Sequence, residues 1–180
     1  MVTTIQAEEI LEGIEVEGDT MITETMKPNA SVVLKHGLFS RLFGKCETKP
    51  PADTSCWSYN EGTLTLDLAR VPELKENATG IRLEGAALPL QVLVMRGDDG
   101  RLRAYHNSCG HGGRRLDPVP GAATLQCCSI GHATYNYEGK RLTEGPTRDV
   151  TMFETSLDDS ILTVTIPQDV IDAVRAGKKK

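Results

Sequence analysis

The chain has 180 residues, a formal net charge of -5 and 39% hydrophobic residues. A chain of this length can bury about two-thirds of its unfolded surface, so we expect a domain that folds without help from disulfides. The acidic balance disfavours nucleic acid as a partner. Its apolar runs, such as Val92 to Met95, are far shorter than the ~20 residues that a membrane span needs, so no span is predicted.

The first thirty residues are acidic and hold few large side chains. No Lys or Arg precedes Lys27, which disfavours a secretory signal or a transit peptide, and we expect a cytoplasmic protein. The apolar residues of this arm have the spacing of a short helix stripe: Ile5, Ile10, Leu11 and Ile14. The arm is interpreted either as solvated and partly disordered or as a segment that orders on a partner.

Two further segments precede the first predicted strand. Residues 31–45 have the pattern of a short basic amphipathic helix weakened by Gly37, and we expect its apolar stripe to pack on its own domain rather than on a membrane or a partner. Residues 46–60 are predicted to be a linker, because they combine consecutive prolines with small polar residues. Cys46 and Cys56 have no histidine beside them, so we predict that both remain thiols.

From Gly62 onward the hydrophobic pattern has a period of two, which is typical of strands. Strands are predicted at residues 63–68, 81–83, 90–95, 102–105, 134–137, 150–154 and 161–166. Short strands separated by turns at this spacing predict an antiparallel all-β domain. Residues 168–176 are predicted to form a small helix, and an exposed basic tail follows it.

A segment in the middle of the chain concentrates metal ligands. Cys109 and His111 share one tight loop, and His132 follows Cys127 and Cys128 on a second loop. Thiolates and neutral imidazoles suit zinc or an iron-sulfur cluster and suit calcium and magnesium poorly. Zinc modules usually bring their ligands as C-x2-C or H-x3-5-H pairs, whereas one Cys and one His per loop favours a cluster with both thiolates on one iron and both histidines on the other.

These motifs resemble the Rieske [2Fe-2S] family. The resemblance rests on residues 109–116, on Cys128 and His132, and on the following YNYEGK run, and it extends over about residues 62–166. It implies a Rieske-like antiparallel β sandwich or barrel with a cluster-binding subdomain, to which the apolar spacing adds short N- and C-terminal helices. Gly145-Pro146 resembles the proline loop that shields the cluster in this family.

The resemblance implies a [2Fe-2S] cluster and its four ligands. Cys109 and Cys128 would bind the inner iron, and His111 and His132 the outer one. The second loop departs from the family pattern C-x2-H, because its spacing is C-x3-H counted from Cys128 and C-x4-H counted from Cys127. Cys128 needs the smaller adjustment and is preferred, with Cys127 as the alternative.

Three residues near the ligands are candidates for tuning or shielding the cluster. The resemblance implies a hydrogen bond from Tyr135 to a ligating sulfur, one from Thr134 to a bridging sulfide, and cover from the loop of Pro146. Ordinary strand packing is the alternative role for the first two. Arg114 and Ile130 occupy the positions where Rieske proteins of respiratory complexes carry an additional disulfide, so the resemblance is closer to ferredoxin-type and oxygenase-associated domains.

We therefore predict three regions and one function. Residues 1–60 form an acidic arm, amphipathic segment and linker, residues 61–167 a Rieske domain, and residues 168–180 a C-terminal helix and basic tail. The predicted function is one-electron transfer to or from redox partner proteins, as a ferredoxin or as the small subunit of a redox complex. A zinc-stabilised binding module and a cluster-based redox sensor are the alternatives. We expect no independent catalysis, because the chain has too few histidines for the mononuclear iron that Rieske oxygenases add.

Overall fold

A computed structural model describes residues 27–34, 45–110, 112–145 and 148–177. The helix predicted from Ile5 to Ile14 and most of the amphipathic helix predicted at residues 31–45 lie outside the described residues. Within the described part, residues 30 and 31 form a turn and residues 32–34 have no helical structure.

The regular structure of the described chain is mostly β, as predicted. Its ten strands are β1 Trp57–Asn60, β2 Thr63–Asp67, β3 Thr79–Leu83, β4 Val92–Arg96, β5 Leu102–His106, β6 Leu116–Val119, β7 Thr124–Cys127, β8 Thr134–Asn136, β9 Met152–Asp158 and β10 Ile161–Thr165. Two short 3-10 helices, Leu68–Arg70 and Pro72–Leu74, follow β2. The predicted C-terminal helix is confirmed as α1, Gln168–Gly177.

Seven strands form a large antiparallel sheet in the order β1-β2-β10-β9-β5-β4-β3. Alternation in the sequence places Leu64 and Leu66 of β2 on the buried face, opposite Val164 and Leu162 of β10. Ile171 of α1 completes the same core. This core stabilises the half of the domain that lies away from the metal-ligand loops.

A second sheet of three strands, in the order β6-β7-β8, carries the ligand-rich segment. Leu116 of β6 and Tyr135 of β8 pack with Tyr105 of β5 and Met95 of β4 in a second core. The first four residues of β4 are all apolar because one face of the strand packs in the first core and the other in the second. The two sheets therefore hold the ends of β5 and β7, where the ligand loops begin, at a fixed separation.

At the far end of the second core, one carboxylate and two phenol groups form a set of hydrogen bonds. Asp98, in the turn after β4, accepts hydrogen bonds from the N–H groups of Gly121 and Ala123 and from the Tyr137 hydroxyl at 2.8–2.9 Å. The Tyr105 hydroxyl donates to the Tyr137 carbonyl at 2.7 Å inside the core. These bonds join the β4–β5 turn of the large sheet to the β6–β7 turn of the small one.

Three strands were not predicted from the sequence. The linker predicted at residues 46–60 is wrong at its end, because Trp57–Asn60 forms β1 and pairs with β2. β6 contains Asp117 and Pro118, and β7 ends in the cysteine pair, so neither has the alternating apolar pattern of the other strands. Among the helices of the described residues, none has the length and apolar character needed to cross a lipid bilayer.

Candidate metal centre

The first ligand loop follows β5 and is closed by its own backbone. The Cys109 N–H donates to the Arg114 carbonyl at 2.7 Å, and the Gly113 N–H donates to the Cys109 carbonyl at 3.0 Å. Gly113 has a φ of +64°, a conformation that glycine adopts without steric cost. Cys109 is thereby buried at the base of the loop. His111 lies outside the described residues, two positions along the same loop.

The second ligand loop connects β7 to β8. The Cys127 N–H donates to the Ala133 carbonyl at 2.8 Å, so the five residues 128–132 form the loop. His132 is half-buried and has a φ of +46°. Ile130 is 54% exposed at the tip. The two ends of this loop are therefore hydrogen-bonded to each other, and its tip exposes one large apolar side chain to solvent.

The two loops bring Cys109 and Cys127 together. Both side chains belong to the second core, and the Cys127 thiol lies within hydrogen-bonding reach of the Cys109 thiol. This contact lowers the pKa of Cys127, but the neighbouring Cys128 thiol and burial together raise it above the ordinary thiol value. Two buried sulfurs from different loops thus lie side by side.

Cys128 follows the end of β7 and is buried outside the second core. Cys127 and Leu125, two residues apart in the strand, both face that core. The thiol of Cys128 lies within reach of the thiols of Cys127 and Cys46. The contact with Cys127 lowers the pKa of Cys128, whereas the contact with Cys46 and burial raise it to about 11.

Cys46 was not predicted to lie near the ligand segment, because no histidine or cysteine accompanies it in the sequence. Asp117 of β6 brings it there by accepting hydrogen bonds from the N–H groups of Glu47 and Thr48 at 3.0 and 2.9 Å. The only sequence signal of this contact was Asp117 itself, an acidic residue next to a proline. It does not identify a partner seventy residues away. Cys56, by contrast, is buried in the first core.

Tyr135 is fully buried beside the two core sulfurs. Its hydroxyl oxygen accepts a hydrogen bond from the Gly110 N–H at 3.4 Å. Burial raises the pKa of Tyr135, the Gly110 bond lowers it, and the nearby Cys109 and Cys127 raise it further. The phenol therefore keeps its proton and can donate it to a sulfur.

Thr134 holds the second loop. Its hydroxyl donates to the His132 carbonyl at 2.9 Å and accepts from Gln126 Nε2 at 3.2 Å. In this geometry the hydroxyl proton is directed at a carbonyl oxygen, and the bond fixes the peptide that follows His132. The predicted bond from Thr134 to a sulfide stays a prediction.

The segment that follows β8 packs against the first loop. A Cβ atom on Gly110 would lie 2.6 Å from the Arg148 carbonyl oxygen and 2.7 Å from its nitrogen. Position 110 therefore requires glycine, because any Cβ atom would collide with the backbone of Arg148. Pro146 lies outside the described residues, two positions before Arg148, so its shielding role stays a prediction.

The family model for the Rieske [2Fe-2S] domain matches residues 65–154, which are 90 of the 180 residues. The chain belongs to the Rieske [2Fe-2S] domain family. Rieske domains bind a [2Fe-2S] cluster, and the match supports a Rieske-type electron carrier. The matched range contains every residue predicted as a ligand.

Solved structures similar to this Rieske chain include a Rieske protein, a complex of an oxygenase with a ferredoxin, and a ferredoxin. The plasma membrane Rieske protein of the cyanobacterium Synechocystis PCC 6803 is 20% identical, covers 48% of this chain and 85% of its own, and has a TM-score of 0.40. A complex of oxygenase and ferredoxin in carbazole 1,9a-dioxygenase is 17% identical over 59% of this chain and 94% of its own, with a TM-score of 0.48. A ferredoxin of Sphingomonas yanoikuyae B1 is 14% identical over 51% and 89%, with a TM-score of 0.44. A comparison with curated proteins gave no match.

The residues present fit the sulfur-bound half of a Rieske cluster. Among the described residues, no group of three or more His, Cys, Asp or Glu side chains converges on a single metal ion. A binuclear cluster does not need such a group, because each iron takes only two protein ligands. Cys109 and Cys127 supply two soft, buried donors in contact, and His132 stands at the end of the second loop.

Proposed function

We propose that this chain transfers single electrons between redox partner proteins, as a ferredoxin or as the small subunit of a redox complex. Cys109 and Cys127 would hold one iron of the [2Fe-2S] cluster, and His111 and His132 the other. The contact between the Cys109 and Cys127 thiols is the observation that carries the proposal. When bound, the cluster supplies a site that gains and loses one electron.

The strand register supports Cys127 as the second thiolate rather than Cys128. Cys127 shares the second core with Cys109, whereas Cys128, just beyond the end of β7, is not in that core and lies near Cys46 and Asp117. The family spacing favoured Cys128 because it shortens the distance along the chain to His132. Contact with the Cys109 thiol is the stronger requirement, because the loop after β7 can absorb one extra residue before His132, whereas the face of Cys127 is fixed by its strand.

Burial and charge at the site suit a carrier of moderate potential. Two thiolates and two neutral imidazoles leave an oxidised [2Fe-2S] core near zero net charge, and clusters of this type lie within roughly -150 to +300 mV. Tyr135 contributes a protonated hydroxyl beside both sulfurs. A donor at that position stabilises the additional negative charge after reduction.

The loop ends form the surface that a partner would meet. Ile130 and Leu142 are exposed large apolar side chains, and Arg114 and Arg148 are exposed beside the first loop. Arg115, the next residue after Arg114, forms an ion pair with Glu84 at 2.6 Å. A basic rim around apolar tips favours a partner with an acidic docking face, although the chain as a whole has a net charge of -5.

The predicted division of the chain is retained as part of the proposal. Residues 61–167 would form the cluster-binding domain, residues 1–60 an arm and linker, and residues 168–180 a helix and tail. The hydrogen bonds of Asp117 to Glu47 and Thr48 and the pairing of β1 with β2 attach the end of the arm to the domain.

The test is metal and sulfide analysis of protein purified under anaerobic conditions. About two irons and two acid-labile sulfides per chain, with an EPR signal after reduction, are expected. About one zinc and no sulfide would contradict the proposal and support a zinc-stabilised module.

Matched serine variants test the ligand choice. Cys127→Ser should lose the iron and the EPR signal, and Cys128→Ser should keep both, because only Cys127 faces Cys109. Circular dichroism of both variants checks that the β-structure is intact. The opposite pattern would restore Cys128 as the ligand.

A further inference from the structure

Cys46 and Cys128 form a second thiol pair, outside the core that holds Cys109 and Cys127. We propose that these two residues are a redox-modification site that forms a reversible disulfide and fastens residues 45–49 to the sheet. The inference rests on the proposed function in one respect, because it needs Cys127 rather than Cys128 to be the iron ligand.

The segment that carries Cys46 is held in place before any disulfide forms. Asp117 accepts three hydrogen bonds from it: from the N–H groups of Glu47 and Thr48 and, at 2.8 Å, from the Thr48 hydroxyl. Lys49 adds a parallel bridge to Ile81, in β3 of the large sheet. These contacts hold residues 47–49 in place, and Cys46 comes directly before them.

Cys128 is positioned just as firmly. Its N–H donates to the Arg115 carbonyl at 3.1 Å, at the start of the second loop. Its side chain is 1% exposed and lies within hydrogen-bonding reach of the Cys46 thiol. A disulfide requires the sulfurs to approach to about 2.0 Å, and a pair already in contact reaches that distance with small side-chain movements.

The other possible pairs are less suitable. Cys109 and Cys127 are in contact, but the proposed cluster uses both thiolates. Cys127 and Cys128 are consecutive, so a bond between them would close a strained ring across one peptide. Cys56 is buried in the other core, away from all four. Of the five cysteines, only Cys46 is partly exposed and can meet an oxidant from solvent.

The reaction needs a low-molecular-weight disulfide as its oxidant. The Cys46 sulfur attacks one sulfur of that molecule, forms a mixed disulfide and releases one small thiol. The Cys128 sulfur then attacks the Cys46 sulfur, forms the protein disulfide and releases the second small thiol. Two electrons and two protons pass from the protein to the small molecule, and excess small thiol reverses both steps.

The experiment uses the cluster-loaded chain, treated anaerobically with oxidised glutathione. Chain mass should fall by about 2 Da, from the loss of two hydrogens, and two thiols should become unreactive to alkylation. Tryptic peptides with fragmentation should assign the link to Cys46 and Cys128, which share peptides with Cys56 and Cys127. Iron content and the EPR signal should not change.

Cys46→Ser is the matched control, because Cys46 is partly exposed and its loss leaves both cores intact. This variant should keep the cluster and form no intrachain link. Persistent alkylation of Cys46 and Cys128 in the cluster-loaded wild-type chain, or a link to any other cysteine, would overturn the disulfide. A Cys128→Ser variant without iron would instead overturn the ligand choice, so the two failures are distinguishable.

Discussion

At the scale of single residues, Tyr135 is the side chain most able to tune the proposed cluster. It is fully buried, it lies close to Cys109 and Cys127, and its oxygen is already an acceptor for the Gly110 N–H. Its proton therefore remains available for donation to a sulfur. The direction of that bond stabilises the state with the greater negative charge on sulfur.

Tyr135→Phe should lower the reduction potential while the cluster remains bound. A hydrogen bond worth about 1 kcal/mol corresponds to roughly 40 mV for one electron. Protein-film voltammetry measures the shift. Tyr59→Phe is the control, since Tyr59 lies in the β1–β2 hairpin of the large sheet and its hydroxyl accepts a hydrogen bond from the Gly62 N–H there. Equal potentials for wild type and Tyr135→Phe would show that the hydroxyl does not act on the cluster.

At the scale of elements, the first ligand loop depends on the segment behind it. Gly110→Ala would place a methyl group against both the carbonyl oxygen and the nitrogen of Arg148, and two backbones cannot move apart as a flexible side chain can. We expect a loss of about 1–3 kcal/mol in the free energy of unfolding, as for overpacked sites, together with a lower iron content.

Gly112→Ala is the matched control in the same loop, because a Cβ atom there meets nothing within 4 Å. Urea unfolding and iron analysis of the two variants give the comparison. If both variants behaved like the wild type, the contact between the loop and the segment at Arg148 would be unimportant for the site.

Asp117 links another pair of elements, the end of the arm and the small sheet. Asp117→Asn replaces one acceptor oxygen by an amide that cannot accept the N–H of Glu47 or Thr48, so it should cost about 1–3 kcal/mol of stability. It should also expose the bond after Lys45 to trypsin. Asp169→Asn, on the exposed face of α1, controls for the loss of one charge. Unchanged cleavage in Asp117→Asn would mean that other contacts hold the segment.

At the scale of the whole molecule, the two sheets are joined through buried phenols. Burial raises the pKa of both Tyr105 and Tyr137 well above the ordinary value near 10. The folded state therefore favours neutral phenols, whereas the unfolded chain ionises them above about pH 10. Their contribution to stability is complete below that pH and is lost progressively as the pH rises above it.

Tyr105→Phe should change both the size and the pH dependence of stability. Loss of the buried bond to the Tyr137 carbonyl should cost about 1–3 kcal/mol at neutral pH. Above pH 10 the free energy of unfolding should fall with rising pH in both proteins. The slope should be smaller in the variant by about 1.4 kcal/mol per pH unit, because one phenol no longer ionises on unfolding. Urea titrations from pH 8 to about 11.5 measure the slopes. Parallel slopes would contradict the predicted linkage.

The sequence predicted the large sheet well because its strands combine a clear apolar alternation with simple turns. The run from Leu64 to Leu66 and the buried strand β4 are the best examples. It predicted the small sheet poorly, because β6 contains Asp117 and Pro118 and the pattern in β7 is dominated by cysteines. The residue types at those positions are set by contacts with segments distant in sequence, and a local sequence pattern does not reveal such contacts.

The candidate site shows the same limit. The ligand types and the two loops follow from the sequence, but the choice between Cys127 and Cys128 depends on which face of β7 points at Cys109. The spacing to His132 favoured Cys128, whereas the alternation of side chains in β7 favours Cys127. The position of Cys46 depends on a carboxylate distant in sequence, so no motif search around Cys46 could have found it.

The doubled cysteine at the end of β7 also makes the sulfur half of the proposed site tolerant of a pairing error. If β7 slipped by one residue against β6, each side chain would exchange its face, and in most strands such a slip removes the functional group altogether. Here Cys128 would take the place of Cys127 beside Cys109, and a thiol would still be presented there. A nascent chain that pairs these strands out of step could therefore still assemble the sulfur half of the site and correct its alignment afterwards.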